Sequence, residues 1–168
     1  MSTPLEYRTL YRNAEGFIRL RANSPAQAWP QLGLDVTLME QGEAGEAGRL
    51  LFACRTDPSM SNPLGMVHGG ISAALVDTCM GVTCGIQCGL ITPTISMTVN
   101  YARPVPLNAE LVVRTRTVRC GATSGQMSAE VYLAGEPDKL LVTASGAYCT
   151  KPNDLSGGSV PWEEEPTT

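Results

Sequence analysis

Aromatic residues make up only 5% of the 168 positions, and Asp, Glu, Lys and Arg together only 17%. So few aromatics leave no platform for stacking nucleobases. The net charge of −4 removes the basic footprint that nucleic-acid binding requires. There is one histidine and no Cys-x-x-Cys pair, so a Cys/His zinc cluster has no ligand set. From Met1 to Leu20 the chain is broken up by Glu6, Arg8, Arg12, Glu15 and Arg19 and lacks the apolar core of a signal peptide. The six cysteines, Cys54, Cys79, Cys84, Cys88, Cys120 and Cys149, are therefore expected to be reduced thiols in a cytoplasmic protein. Cys84 and Cys88, one helical turn apart, read as small buried side chains rather than metal ligands.

What is present is an apolar fraction of 43%, enough for one compact domain with a real core. Tyr7, Leu10, Tyr11, Ala14, Phe17 and Ile18 recur at three- and four-residue spacing, which predicts a helix over the first 24 residues, weakened by Gly16. Ser24-Pro25 opens a second short helical turn running to Trp29. Strands are expected over Leu34–Met39 and Leu50–Arg55, a long helix from Gly69 to about Gln87, and four more strands. These last are Thr94–Ala102, Glu110–Cys120, Gln126–Leu133 and Leu140–Cys149, separated by Pro-, Gly- and Asn-rich connections. The tail after Lys151, rich in Pro, Gly, Ser and Glu, is expected to be disordered. Two strands, a long helix and four strands describe an α+β layer in which the sheet curls around the helix.

The most informative stretch runs from Pro58 to Ala102, where Asp77 is the only formal charge. At the chain's mean charge density about seven or eight charges would fall there. The helix that carries Asp77 is apolar nearly all round, the mark of a buried helix. A membrane span from Met66 to Leu90 would be long enough, but Asp77, His68 and the internal glycines argue against it. A buried carboxylate needs partners or a raised pKa. One reading satisfies it with backbone amides or nearby hydroxyls such as Ser72 or Thr78; the other makes it a reacting group.

Gly69-Gly70 stands where that helix begins. Its unpaired N–H groups lie at the positive end of the helix dipole and suit an oxyanion, and glycine lets a carbonyl approach the backbone closely. Alternatively, the glycines only fit a tight turn and His68 only orients the loop. If both Gly69 and Asp77 act, a distance argument applies. Eight residues along a helix is about 12 Å, too far for both to serve one carbonyl carbon. They would then have to come from different subunits of a symmetric dimer.

The run Asn62-Pro-Leu-Gly-Met-Val-His68-Gly69-Gly70, followed by Ala73-Ala-Leu-Val-Asp77, resembles the signature of the hotdog thioesterases, and most closely the phenylacetate-degradation (PaaI-like) branch. Thr94-Ile-Ser-Met-Thr-Val-Asn-Tyr101-Ala-Arg103-Pro104 is similar to that family's strand after the helix. The resemblance covers roughly Leu32 to Thr150. It implies a hotdog fold: a six-stranded antiparallel sheet wrapped around one long central helix, here with an N-terminal helical extension (1–31) before the domain (32–150) and a tail (151–168). It also implies hydrolysis of an acyl-CoA thioester to the free acid and CoA. Asp77 is then the nucleophile or general base, and Gly69 of the partner subunit polarises the carbonyl. Asn62 positions water or thioester, His68 supports the loop, and Thr94 holds the nucleophilic water. No metal and no cofactor is implied, coenzyme A being part of the substrate. The expected partners are acyl-CoA and further copies of the chain, as a homodimer or homotetramer, with neither nucleic acid nor membrane.

Two alternatives remain. One is a non-catalytic acyl-CoA-binding module, a sensor or carrier, whose mark would be loss of the helix carboxylate or of the glycine pair. The other is a hotdog dehydratase, which would place its Asp beside a His before the helix, whereas here the acid follows His68 by nine residues. Arg114 and Arg116, alternating with Val113, Thr115 and Thr117, are assigned to a solvated sheet face paired with Glu130 rather than to CoA phosphates.

Overall fold

The computed structural model describes residues 9–12, 17–21, 36–39, 48–88, 93–151 and 162–164. Strands β1 (Thr9–Arg12), β2 (Phe17–Arg21), β3 (Val36–Met39) and β4 (Arg49–Arg55) come first. A single 3-10 turn (Pro58–Met60) and the helix α1 (Gly69–Cys88) follow. The chain continues with β5 (Thr94–Tyr101), β6 (Glu110–Cys120), β7 (Ser124–Leu133), β8 (Glu136–Cys149) and β9 (Trp162–Glu164). All nine strands join one sheet in the order β5-β8-β7-β6-β4-β3-β2-β1-β9. Every pairing is antiparallel except that of β1 with β9.

Side-chain alternation decides which face is buried. Phe52 and Cys54 on β4, Leu111, Val113 and Thr115 on β6, Met127, Ala129 and Val131 on β7, and Val142, Ala144 and Tyr148 on β8 all point inward. Against them α1 lays Ser72, Leu75, Val76, Cys79, Met80 and Thr83, a set at three- and four-residue spacing. The helix contacts each of β4 to β8, so the sheet's inner face wraps it. Glycines allow the close approach: a Cβ on Gly125 would sit 2.8 Å from Cys84 Sγ. No helix among the described residues is long and apolar enough to cross a membrane.

The α+β hotdog expectation holds, with three corrections. The six-stranded sheet has nine strands among the described residues. The predicted N-terminal helix is instead the hairpin pair β1 and β2, with Leu10 opposite Leu20 and Tyr11 opposite Arg19. Gly16 disfavours a helix through that segment, and β3 supplies an edge to which β2 adds. In the tail, Trp162–Glu164 pairs with β1 where disorder was expected. The remainder of the tail and the turn at Ser24–Trp29 lie outside the described residues.

Gly48 precedes β4 with φ of 84°, a left-handed conformation that favours glycine. A Cβ there would also fall 2.8 Å from Thr117 Cβ. Gly48→Ala is therefore expected to destabilise the fold by about 1–3 kcal/mol, read as a lower midpoint in urea unfolding with unchanged slope.

Cys54, Cys79 and Cys84 are buried reduced thiols and Cys149 is a half-buried one. Burial, with Cys54 nearby as the lesser cause, pushes the Cys79 thiol well up, so it stays an unreactive core group. Cys120 departs from the expectation of free thiols: it is disulfide-bonded, at the exposed end of β6 where a cysteine is not shielded as a core side chain. The side chain of Cys88 lies outside those described.

Candidate active site

The loop from Pro58 to His68 leads into α1 and is clamped at its base. The His68 N–H bonds Met60 O at 2.8 Å and the Val67 N–H bonds Val105 O at 3.0 Å. Asn62 organises its turn. Its side-chain oxygen accepts the N–H groups of Leu64 (2.9 Å) and Met66 (3.2 Å), while its backbone pairs with Met66 O and Gly65 N–H. The Asn62 carbonyl is thus used within the loop, leaving its NH2 as the group free to donate.

His68 is the N-cap of α1. Its carbonyl accepts from Ile71 and Ser72, and its ring Nδ1 accepts the Gly70 N–H at 3.0 Å. The ring nitrogen therefore does what a Ser or Asp side chain does at most helix starts. This consumes the Gly70 donor. The Gly69 N–H bonds no acceptor among the described residues and is the free amide at the positive end of the helix. Tyr101, at the far end of β5, donates its hydroxyl to Gly69 O at 2.7 Å and holds that peptide in place.

Asp77 lies two turns further along α1, half-buried. Its Oδ1 accepts the Thr94 hydroxyl at 2.8 Å and the Tyr148 hydroxyl at 3.1 Å. Tyr148 is fully buried. Burial first, and the Asp77 carboxylate second, push its phenol far above the ordinary tyrosine value, so it remains a protonated donor. The carboxylate is satisfied by hydroxyls, but not by Ser72 or Thr78. Thr94 bonds the carboxylate directly.

Within one chain the five sequence candidates thus fall into two groups. Asn62, His68 and Gly69 gather at the start of α1, and Asp77 and Thr94 gather about 12 Å along it. Tyr101 and Tyr148 were not singled out from sequence as site residues. Tyr148 reaches Asp77 across 71 positions of chain, and only the sheet order makes that contact. A local sign exists: Tyr148 directly follows a run of small residues, Thr143 to Ala147.

Arg103, Arg116 and Arg119 are exposed, and Arg114 is half-buried. Arg114 stands opposite Glu130 across β6 and β7, with nitrogen and oxygen 3.6 Å apart, and lies over the Tyr132 ring at 5.0 Å. Arg103 donates to Leu140 O at 2.7 Å.

The sequence model of the thioesterase superfamily matches residues 64–139, a span that takes in the helix start, Asp77 and Thr94. Among solved structures, the Escherichia coli PaaI protein from the phenylacetic acid degradation operon is 21% identical. That match covers 79% of this chain and 86% of the other, with a TM-score of 0.63. A conserved protein from Pseudomonas aeruginosa is 26% identical, covering 73% and 93%, with a TM-score of 0.61. Zebrafish thioesterase superfamily member 2 is 16% identical, covering 77% and 89%, with a TM-score of 0.65. The chain thus has the hotdog fold of these solved structures, and its residues 64–139 are similar to the thioesterase superfamily.

Proposed function

We propose that the protein hydrolyses an acyl-CoA thioester to the free acid and CoA, at a site completed by a second copy of the chain. The observation that carries this reading is the presence together of a hydroxyl-held carboxylate, Asp77, and a helix-start amide, Gly69, that bonds no acceptor among the described residues. Asp77 takes a proton from water as that water adds to the thioester carbonyl carbon. The carbonyl oxygen gains negative charge and is met by the Gly69 N–H of the partner subunit. The C–S bond then breaks, and the departing sulfur receives the proton that Asp77 holds. Direct attack by the carboxylate, followed by hydrolysis of the anhydride, uses the same groups. No metal or further cofactor enters either route.

The dimer has support beyond the distance argument. Strand β5 is the terminal strand of the sheet and carries the exposed Ile95 and Tyr101. Thr94, beside Asp77, starts that strand, and Tyr101, over Gly69, ends it. Antiparallel pairing of two β5 edges about a two-fold axis sets the Asp77 end of one chain against the Gly69 end of the other. Such pairing also covers an edge that would otherwise invite aggregation.

The test is thiol release from acetyl-, medium-chain, long-chain, benzoyl- and phenylacetyl-CoA. Catalysed release from at least one is the expected result and identifies the acyl class. Binding of a non-hydrolysable acyl-CoA with no release from any would replace the enzyme with the sensor or carrier.

A further inference from the structure

The two hydroxyls on Asp77 both reach the same oxygen. Tyr148 stands at 3.1 Å and Thr94 at 2.8 Å from Oδ1, whereas Oδ2 accepts no hydrogen bond from the described residues. A carboxylate oxygen offers about two lone-pair directions, and on Oδ1 both are taken. The proton-accepting capacity of Asp77 is thereby left on Oδ2.

Tyr148 is held in a way that fixes where its hydroxyl can be. Its ring occupies a slot between α1 and β8 made by two residues without side chains. A Cβ on Gly146 would stand 2.9 Å from ring atom Cε2 and 3.1 Å from the hydroxyl oxygen, and a Cβ on Gly81 would stand 3.5 Å from Cε1. Met80 lies beside Gly146 as well. A ring so enclosed, with 0% exposure, has no second position for its oxygen. A buried tyrosine hydroxyl needs a partner, and the main-chain Asp77 O at 3.2 Å would meet that need alone. The single hydroxyl proton is instead shared with the side-chain oxygen, which is the nearer at 3.1 Å, and that shared bond sets the rotation of the carboxylate.

We propose that Tyr148 is a positioning residue which, with Thr94, pins Oδ1 of Asp77 and so presents Oδ2 as the oxygen that meets water or thioester. This rests on the hydrolytic reading above and assigns the working atom within it. Tyr148 itself touches neither substrate nor reacting atoms; it acts through Asp77.

Tyr148→Phe keeps the ring and the slot and removes only the oxygen. It is expected to lower kcat about tenfold, the usual worth of one hydrogen bond to a charged group, with KM within twofold of wild type. Thr94→Val is expected to do the same, and the double variant to lose more than either. A ring that serves packing alone would leave kcat of Tyr148→Phe unchanged, and that result overturns the proposal.

A second readout does not depend on turnover. A buried, bonded tyrosine hydroxyl exchanges slowly enough to give a downfield proton resonance. It is expected in wild type, absent in Tyr148→Phe, and displaced in Asp77→Asn. A Tyr148 hydroxyl signal indifferent to Asp77→Asn also overturns the proposal. If wild type hydrolyses no acyl-CoA while the resonance still responds to Asp77→Asn, the hydrolytic reading fails, whereas the grip of Tyr148 on the carboxylate stands.

Discussion

Asp77→Asn is expected to lower thioester turnover by about 10² to 10⁴, the range for losing a positioned base, while leaving the fold in place. Asparagine is the right probe because it has the shape of aspartate. Its side-chain oxygen can still accept the hydroxyls of Thr94 and Tyr148, which bond Asp77 Oδ1 at 2.8 and 3.1 Å. What changes is the other position, where an NH2 that can only donate replaces an oxygen that can take a proton or attack carbon. Asp77→Ala is less clean. It strips the side-chain partner from a fully buried phenol, and leaving a buried polar group short of partners costs about 1–3 kcal/mol, here softened by the remaining contact with Asp77 O at 3.2 Å. The check is kcat by thiol release beside a thermal melt of the same preparation. Turnover within threefold of wild type, in a protein that melts normally, removes Asp77 as the reacting group.

Asp77 was legible because charge is expensive where everything around it is apolar. From Pro58 to Ala102 no other formal charge occurs, and a carboxylate in that setting has to be explained. The helix and the strands β4 to β8 were legible for a related reason. Their alternation or three-to-four spacing is bounded by glycine, proline and asparagine, so pattern and punctuation agree. The first 24 residues lacked that agreement. Tyr7, Leu10, Tyr11, Ala14, Phe17 and Ile18 fit one helical face, yet short runs on either side of a glycine also fit two paired strands, and the neighbouring strand β3 decides between them. Strand β9 was out of reach in the same way, since its three residues form a strand only against β1.

The site was legible where it is local in sequence and illegible where it is not. Gly69 follows from its place at a helix start. That His68 caps the same helix through Nδ1, consuming the Gly70 N–H, depends on a ring rotation no pattern encodes. Tyr148 depends on β8 lying beside β5 and facing α1, a matter of topology. The Arg114–Glu130 pair was anticipated from the charges on two neighbouring strands and not from register, since a β-bulge between Thr117 and Arg119 shifts the ladder by one residue.

The division of the site between two chains makes a sharper prediction than loss of activity, because it can be read as a gain. Asp77→Asn removes the carboxylate. Gly69→Val crowds the helix-start amide, since even a Cβ at Gly69 lies 3.4 Å from Tyr101 and a branched side chain fills the space a carbonyl must enter. Each variant alone is expected to be nearly silent. In a mixed dimer, however, one of the two composite sites takes Asp77 from the Gly69→Val chain and Gly69 from the Asp77→Asn chain, and is intact. Its companion site carries both defects. Random pairing of equal amounts makes half the dimers mixed, each with one good site, so turnover should recover to about a quarter of wild type. Two differently tagged chains, refolded together and separated on both tags, give the mixed dimer directly, with about half the wild-type rate expected for it. No rearrangement within a single chain can produce that recovery, because neither chain holds both groups. A purified mixed dimer that stays silent would return both groups to one chain, and with them the requirement that a single substrate span about 12 Å of helix.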